Sequence, residues 1–209
     1  MASPATPERD TREQLILAAE RLFAERGIGE VSLREVGAAA GQRNTSAAQY
    51  HFGNKSALIE AIFDHRMRTI NEQRLQHLAE MQVERPDDEL RPLLEAFIVP
   101  LATTAAGPHG YYARFLAQFS ADPHHSTAWD WDTATSLRLV WRGLRRHLSH
   151  LPEATARARL RMLEHLVVHT IADHERAGPH DTAESAQPWI AELVDAAEGL
   201  LTAPTTATS

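Results

Sequence analysis

The spacing of the apolar residues is the feature that most constrains this chain, because they recur every three to four positions through almost all of its 209 residues. The run from Leu15 through Ala18 and Ala19 to Leu22 and Phe23 is typical. This spacing builds the buried stripe of an amphipathic helix, whereas a half-buried strand needs strict alternation of apolar and polar residues. We find no convincing alternating run, so the sequence predicts an all-α protein.

Capping and stop residues divide the N-terminal part into short helices. The first helix is predicted to begin near residues 10–11 and to end at Gly27, since glycine readily takes the left-handed conformation that closes a helix. Ser32 and Glu35 have the spacing of a capping box, which predicts the start of a second, short helix. Gly41 is predicted to end that helix.

A third short helix is predicted over residues 45–52, after a polar turn, and Gly53 ends it. Asn54 is placed to cap a long helix predicted over residues 55–82. Short helices joined by a tight glycine turn and followed by a long helix have the layout of a helix-turn-helix DNA-binding motif. The spacing alone is equally compatible with a compact three-helix lobe that binds no DNA.

The rest of the chain continues the helical pattern between glycine and proline breaks. Pro100 is expected to kink or split its helix, and Pro188 to occupy the first turn of the last helix, where the missing N–H of proline costs nothing. Residues 1–9 and 202–209 are rich in Ala, Thr, Pro and Ser and are predicted to be disordered tails. Between them, helices are predicted over residues 87–105, 109–121, 126–149, 152–176 and 188–201.

Charge and composition narrow the class of protein. The net charge of −7 argues against nucleic-acid binding, yet no acidic residue lies between Glu35 and Glu60, where Arg43 and Lys55 stand. A DNA reader needs only a locally positive face, because phosphate contacts are local. The sequence has no cysteine, no signal-peptide pattern and no apolar run long enough to span a bilayer, so we expect a cytoplasmic protein.

The stretch from Val31 to Phe63, VSLREVGAAAGQRNTSAAQYHFGNKSALIEAIF, resembles the DNA-binding segment of the tetracycline-repressor (TetR) family. The shared features are a serine that caps the second helix, an Ala-Gly turn, a recognition helix that ends in Tyr-His-Phe, and a lysine soon after it. In this sequence they are Ser32, Ala40-Gly41, Tyr50-His51-Phe52 and Lys55.

The resemblance implies an N-terminal three-helix helix-turn-helix DNA-binding domain, residues 10–54, and a larger C-terminal helical domain, residues 55–201, for ligand binding and dimerisation. It also implies a function in transcription regulation rather than catalysis. The expected protein is a homodimeric repressor that binds a palindromic operator in double-stranded DNA and is released by a small-molecule effector.

The resemblance implies that the recognition helix enters the major groove with its N-terminus first. Arg43 and Gln49 are the candidates for base contacts, because arginine reads guanine and glutamine reads adenine in bidentate fashion. For Arg43, a phosphate contact is an equal alternative. Asn44, Thr45 and Ser46 lie at the groove entrance or cap the helix. The candidates for contacts with the DNA backbone are Ser32, Arg34, Tyr50, His51 and Lys55.

The C-terminal part is implied to hold a pocket for an apolar or aromatic ligand and the dimer interface. Periodicity alone is equally consistent with both sets of residues being internal core. The ligand candidates are Phe97, His109, Tyr111, Tyr112, Phe115, Phe119, Trp129 and Trp141. The dimer candidates are Leu160, Leu163, Val167, Ile171, Ile190, Leu193, Val194, Ala197 and Leu201.

Two other functions remain open from the sequence. His165 and His169 have metal-ligand spacing on a predicted helix, but Leu166 stands where a zinc protease needs glutamate, and no third ligand has a fixed spacing. We therefore expect no metal and no cofactor. The other alternative is a helical ligand-binding module without DNA binding, which the acidic net charge supports and the acid-free stretch around Arg43 opposes.

Overall fold

The computed structural model describes residues 7–84, 90–105, 110–121, 135–178 and 183–205. These residues form helices joined by turns, with no strand among them, which confirms the all-α prediction. No helix within these ranges is both long and apolar enough to cross a membrane. The helices are α1 (Pro7–Arg26), α2 (Leu33–Ala39), α3 (Ala47–Phe52), α4 (Lys55–Glu84), α5 (Leu90–Ala105), α6 (Tyr112–Ala121), α7 (Thr135–His147), α8 (Glu153–Ala177) and α9 (Ala183–Thr202).

Two of the N-terminal helices begin at other residues than predicted. α1 begins at Pro7, inside the predicted tail, because proline is well suited to the first helical position, where its missing N–H needs no partner. α3 begins at Ala47 rather than at residue 45, because the side-chain oxygen of Asn44 accepts a hydrogen bond from the Ser46 N–H at 3.0 Å. That bond holds the preceding residues in a turn.

The prolines at positions 100 and 188 both lie inside helices, as predicted for Pro100, whereas the prediction that Pro188 occupies the first turn of the last helix was wrong. α5 continues through Pro100 without splitting, and α9 begins before Pro188. Each proline removes one backbone hydrogen bond and leaves the carbonyl four residues earlier without its helical donor. In α5 that carbonyl belongs to Ala96. The Nε of Arg74, on α4, donates a hydrogen bond to it at 3.0 Å in place of the missing backbone N–H.

The helices share one continuous apolar core. α1 packs against α2, α4 and α6; α6 packs against α8; and α5 packs against α4, α7 and α9. A buried ion pair also joins α1 to α4, since the Nε and Nη2 atoms of Arg66 donate to the Glu20 carboxylate at 2.7 and 2.6 Å. The first helix of the N-terminal lobe is therefore fixed to helices of the C-terminal part.

Candidate nucleic-acid interface

α2 is opened by the predicted capping box. The Glu35 N–H donates to Ser32 Oγ at 3.2 Å, and the Ser32 N–H donates to Glu35 Oε2 at 2.8 Å. Arg26 donates to the other carboxylate oxygen at 2.8 Å. Hydrogen bonds from the Ser32 backbone and hydroxyl, and then from Arg26, lower the pKa of Glu35 to about 2. The capping box is confirmed, and the Ser32 hydroxyl is already engaged within it.

The turn between α2 and α3 packs directly on α2. A Cβ atom placed on Gly37 would lie 2.7 Å from the carbonyl oxygen of Thr45, so only glycine leaves room for this approach. The Gln42 N–H donates to the Gly37 carbonyl at 3.1 Å, and Gly41 takes a φ of +69°. These contacts fix the angle at which α3 leaves the turn.

Asn44 holds the residues that lead into α3. Its side chain accepts from the Ser46 N–H, as noted above, and its carbonyl accepts from the Ala47 N–H at 3.0 Å. Thr45 is half-buried, and Ser46 stands exposed at the N-cap with no hydrogen bond from its hydroxyl to the helix. Asn44 therefore has an internal structural partner, whereas the Ser46 hydroxyl is open to solvent.

One face of α3 is left exposed. Tyr50 is 80% exposed, although tyrosine is a large and partly apolar side chain. The half-buried His51 ring lies edge-on to the Tyr50 ring, with the two ring centroids 5.3 Å apart. Gln49 is exposed, and its amide donates to the Gly53 carbonyl. Phe52 is buried, with the Arg12 guanidinium 5.2 Å from its ring centre. Tyr50 contributes little to the core of this lobe and is available for an external contact.

Arg34 and Arg43 are the unpaired cations of this surface. Both are exposed, and within the described residues neither has a hydrogen bond or an ion pair from its guanidinium. Arg26, in contrast, is paired with Glu35. Arg43 in the acid-free stretch and Arg34 just before it therefore present two guanidinium groups that pair with no carboxylate of the described residues.

Lys55, predicted to bind phosphate, has internal partners. Its Nζ donates to the carbonyl oxygens of Ile28 and Gly29 at 2.8 and 3.4 Å. Asn54, directly before it, caps α4 as predicted, because its side chain accepts from the Ala57 N–H at 2.9 Å. Lys55 therefore ties the first turn of α4 to the loop between α1 and α2, a contact that nothing in the sequence signals.

The predicted ligand-binding aromatics fall into two groups of contacts. On α6, the rings of Tyr112, Phe115 and Phe119 pack around Phe63 of α4, with centroids 6.2, 5.2 and 5.0 Å away. Sequence reasoning missed Phe63, although it lies on the apolar face of the long helix. The candidates Phe97 and Trp141 pack on each other at 5.3 Å, Tyr111 is half-buried, and His109 and Trp129 lie outside the described residues.

A cavity of about 370 Å³ opens between α1, α2 and the residue that precedes α6. Of the ligand candidates within the described residues, Tyr111 alone lines it. Its other lining residues belong to the N-terminal lobe: Gln14, Leu17, Ala18, Glu20, Arg21, Ala39 and Ala40. The cavity therefore lies against the N-terminal lobe and not among the aromatics of the middle helices.

The predicted dimer residues lie mostly in the interior of the single chain. Ile190 is half-buried, and the others are buried: Leu160, Leu163, Val167, Ile171, Leu193, Val194, Ala197 and Leu201. α8 turns this stripe towards α6, and α9 turns its stripe towards α5 and α8. The same two helices leave Met162 54% exposed and Leu166 and Leu200 half-buried. These three residues, unlike the buried stripe, remain partly accessible on α8 and α9.

The histidine pair on α8 forms no metal centre within the described residues. The rings of His165 and His169 are nearly parallel, with centroids 5.9 Å apart, and both side chains are exposed. No group of three His, Cys, Asp or Glu side chains in the described ranges has the arrangement to hold a metal ion.

Two family models match the chain. The model described as "Bacterial regulatory proteins, tetR family" matches residues 15–62, which contain α2, α3 and the turn between them. The model described as "Tetracyclin repressor-like, C-terminal domain" matches residues 95–199 and covers half of the chain.

Individual known proteins agree with these matches. The chain is 36% identical over 85 residues to the probable HTH-type transcriptional regulator ArpR of Pseudomonas putida. It is 35% identical over 85 residues to the HTH-type transcriptional regulator TtgR, also of Pseudomonas putida. Each alignment covers 41% of this chain and 37% of the relative's length. The solved structure of a TetR-like transcriptional regulator from Rhodococcus sp. RHA1 has a similar fold, with a TM-score of 0.50 and 19% identity over 91% of this chain and 93% of that one.

Proposed function

This chain belongs to the tetR family of bacterial regulatory proteins, and on that premise we propose that it is a sequence-specific transcription regulator that represses by binding a palindromic operator as a dimer. The observation that carries the proposal is the exposed surface of α2, the turn and α3. That surface combines unpaired arginines with an exposed tyrosine, on a segment that matches the family's DNA-binding region.

The proposed DNA contacts follow from where each side chain stands. Arg43, in the turn before α3, reads a guanine or contacts a phosphate at the groove entrance. Arg34 and Tyr50 bind phosphates on either side of it, and Gln49 contacts a base once its amide leaves the Gly53 carbonyl. Lys55 adds positive charge near the phosphates while it holds the loop between α1 and α2.

The proposed dimer forms through the exposed sides of α8 and α9. Met162, Leu166 and Leu200 supply the apolar surface there. A two-fold dimer places two recognition helices about 34 Å apart, which matches successive major grooves on one side of a palindromic site.

The proposed switch is a small ligand that binds among the middle helices and moves α4. α4 begins beside the helix-turn-helix lobe and reaches into the C-terminal part, and the pair between Glu20 and Arg66 couples it to α1. A ligand that binds the two states with different affinity shifts the separation of the recognition helices and thereby releases the operator.

The experiment that tests the proposal is a fluorescence-anisotropy titration of the protein against DNA from the region upstream of its own gene, at two salt concentrations. Competitor-resistant binding is expected, and Arg43→Ala is expected to weaken it. If Arg43 contacts only phosphate, the loss is uniform across sequences and the salt slope falls by about one. If it reads a base, discrimination at one position of the site relaxes.

The matched control is Arg142→Ala, which removes an exposed arginine on α7, far along the chain from the proposed DNA surface. It should bind DNA like the wild-type protein. Absence of binding even to nonspecific DNA at low salt would reject the proposal and favour a ligand-binding module without DNA recognition.

A further inference from the structure

The cavity between α1, α2 and the residue that precedes α6 lies where the N-terminal lobe meets the C-terminal part. Its volume is about 370 Å³. Sites that hold small molecules commonly have volumes of about 300–1,000 Å³. Leu17 of the lining is 39% exposed, so it keeps apolar surface that a ligand can cover. The other apolar lining residues of α1 and α2 are Ala18, Ala39 and Ala40.

The polar part of the lining is rich in hydrogen-bond donors that have no acceptor. Arg21 is half-buried, and its guanidinium has no hydrogen bond or ion pair within the described residues. The Tyr111 hydroxyl has no partner in the same ranges. Gln14 uses its Oε1 to accept from Gln42 Nε2 at 3.1 Å, which leaves its own amide N–H groups available. These donors call for a ligand that brings acceptors.

Glu20, the acidic residue of the lining, is already neutralised. It is 1% exposed, and its two carboxylate oxygens accept hydrogen bonds from Arg66 at 2.7 and 2.6 Å. Arg114 brings a further positive charge to the edge of the cavity, because its guanidinium lies 5.4 Å from the centre of the Tyr111 ring. The uncompensated charge at the cavity is therefore positive, which favours an anionic ligand over a cationic one.

We propose that this cavity binds a small apolar monocarboxylate, whose charged end pairs with Arg21 and whose apolar body covers Leu17 and the lining alanines. A carboxylate offers two acceptor oxygens, which suit a guanidinium together with the amide of Gln14 or the phenol of Tyr111. The site is separate from the ligand site among the middle helices in the proposed switch. It therefore gives the protein a second input.

The position of the cavity gives its ligand a route to the DNA surface. Its α1 and α2 walls belong to the N-terminal lobe, whereas Tyr111 is fixed to α6, because its carbonyl accepts from the Phe115 N–H at 2.8 Å. Gln14 connects the lining to Gln42, the residue before Arg43 in the turn. A ligand that contacts both parts stabilises one orientation of the lobe and so changes operator affinity. This regulatory step rests on the proposed function, whereas the binding of the ligand does not.

Thermal unfolding with benzoate and with 1-naphthoate, at constant ionic strength, tests for the ligand site. Benzamide and 1-naphthamide are the neutral counterparts. A ligand that binds the folded chain raises Tm as its concentration increases. We expect both carboxylates to raise Tm above a chloride control and both amides to have little effect. The larger 1-naphthoate should bind more tightly than benzoate, because it buries more apolar surface.

Two variants assign the binding to the cavity. Arg21→Gln should weaken carboxylate binding about tenfold, as expected for loss of a charge-assisted hydrogen bond, and it breaks no hydrogen bond within the described residues. Ala39→Leu, at an exposed lining position, should weaken 1-naphthoate more than benzoate, because it leaves less room for the larger body. The control is Arg68→Gln, which removes an exposed arginine of α4 outside the lining and should bind like the wild-type protein.

Anisotropy on operator DNA, with and without 1-naphthoate, tests the regulatory step. The carboxylate should change the operator affinity of the wild-type protein about fivefold or more, in the range of ordinary allosteric coupling. At the same ligand concentration, the change should be smaller for Arg21→Gln than for Arg68→Gln.

The ligand site is overturned if no carboxylate raises Tm, if the amides act equally, or if Arg21→Gln and Ala39→Leu both leave the response unchanged. Intact operator binding in these cases leaves the proposed DNA function standing. Binding that depends on Arg21 but does not change operator affinity supports the site and overturns its regulatory role. If the wild-type protein binds no DNA at all, the proposed function fails, while the Tm data still decide the ligand site.

Discussion

Arg43 and Lys55, the two cations of the acid-free stretch, have different surroundings. Arg43 is exposed and has no internal partner within the described residues, whereas Lys55 donates to two backbone carbonyls of the loop between α1 and α2. A hydrogen bond from a charged group to a part-buried carbonyl stabilises a fold more than a neutral one does. At the residue scale, therefore, Arg43 is free for DNA, and Lys55 first maintains the lobe.

Lys55→Met should lower the free energy of unfolding by about 1–2 kcal/mol, because the apolar stem remains while the two carbonyls lose their charged donor. Urea unfolding measures the change. Arg68→Met, at an exposed position of the same helix, is the control and should change little. Unchanged stability together with weaker DNA binding would show that Lys55 acts through phosphate alone.

Local partners of a side chain were predictable from the sequence, and distant ones were not. Glu35 stands three residues after Ser32, and Asn54 three before Ala57, so the spacing itself indicates the cap. Lys55 finds its carbonyl partners 27 and 26 residues earlier, and Arg74 finds Ala96 22 residues later. Such pairs exist only once helices pack, so no local pattern signals them.

At the scale of elements, the close approach of the turn to α2 requires that residue 37 have no Cβ atom. Gly37→Ala would place a methyl group 2.7 Å from the Thr45 carbonyl, and backbone at that position cannot give way as a flexible side chain would. We expect a loss of about 1–3 kcal/mol in stability, reduced by the better helix propensity of alanine, together with weaker operator binding as α3 is displaced.

Gly29→Ala is the matched control, because a Cβ atom there meets nothing within 4 Å among the described residues. Circular dichroism during thermal unfolding and anisotropy on operator DNA compare the two variants. Equal behaviour of Gly37→Ala and Gly29→Ala in both measurements would contradict the close approach of α2 and the turn.

The start of α6 is set by a side chain of α8. The Glu175 carboxylate accepts hydrogen bonds from the N–H groups of Ala113 and Arg114 at 2.9 and 2.8 Å. Because this cap comes from a helix far along the chain, the sequence placed the start of α6 at residue 109, and the structure places it at Tyr112. Burial raises the pKa of Glu175 to about 7, with a smaller contribution from Glu20, while the two backbone bonds and Arg114 oppose the shift.

This raised pKa predicts a pH-dependent stability. The folded chain holds the Glu175 proton more tightly than the unfolded chain, so its contribution is fully present below pH 4.5 and is lost as the pH rises through about 7. Urea unfolding at pH values between about 5 and 8 should therefore show stability falling with pH, and Glu175→Gln should remove this component. Glu192→Gln, at an exposed position of α9, should keep it. An identical pH profile for Glu175→Gln and the wild-type protein would disprove the assignment.

At the scale of the whole molecule, the apolar stripes of α8 and α9 show where periodicity stops being informative. A stripe such as Leu163, Val167 and Ile171 is equally suited to the interior of one chain and to an interface between two. The structure buries these residues against helices of the same chain. An apolar stripe therefore predicts that a helix face is buried, but it does not predict whether the face packs within the chain or against a second copy. The all-helical class was predictable because it depends on local spacing and on caps, whereas the N-terminal motif was identified by the resemblance of its residues to those of a known family.

The proposed dimer uses the exposed side of α8 and α9. It is not strongly apolar, since it mixes Met162 and Leu166 with His165 and His169. Dimers of moderate stability often have such mixed interfaces, in which a few apolar residues near the centre supply most of the binding energy. Met162, the most exposed large apolar side chain of the two helices within the described residues, is the best single position at which to disrupt it.

Met162→Glu should therefore convert the protein from dimer to monomer, because each interface would hold two buried carboxylates related by the two-fold axis. Sedimentation velocity gives the mass, and anisotropy on a full palindromic site should show a loss of affinity of about tenfold or more, while unfolding of the monomer is little changed. Leu139→Glu, which places the same charge at a 42% exposed leucine of α7, is the control and should stay dimeric. If Met162→Glu remains a dimer that binds the operator normally, the second copy contacts another face, and the proposed dimer through the exposed sides of α8 and α9 must be abandoned.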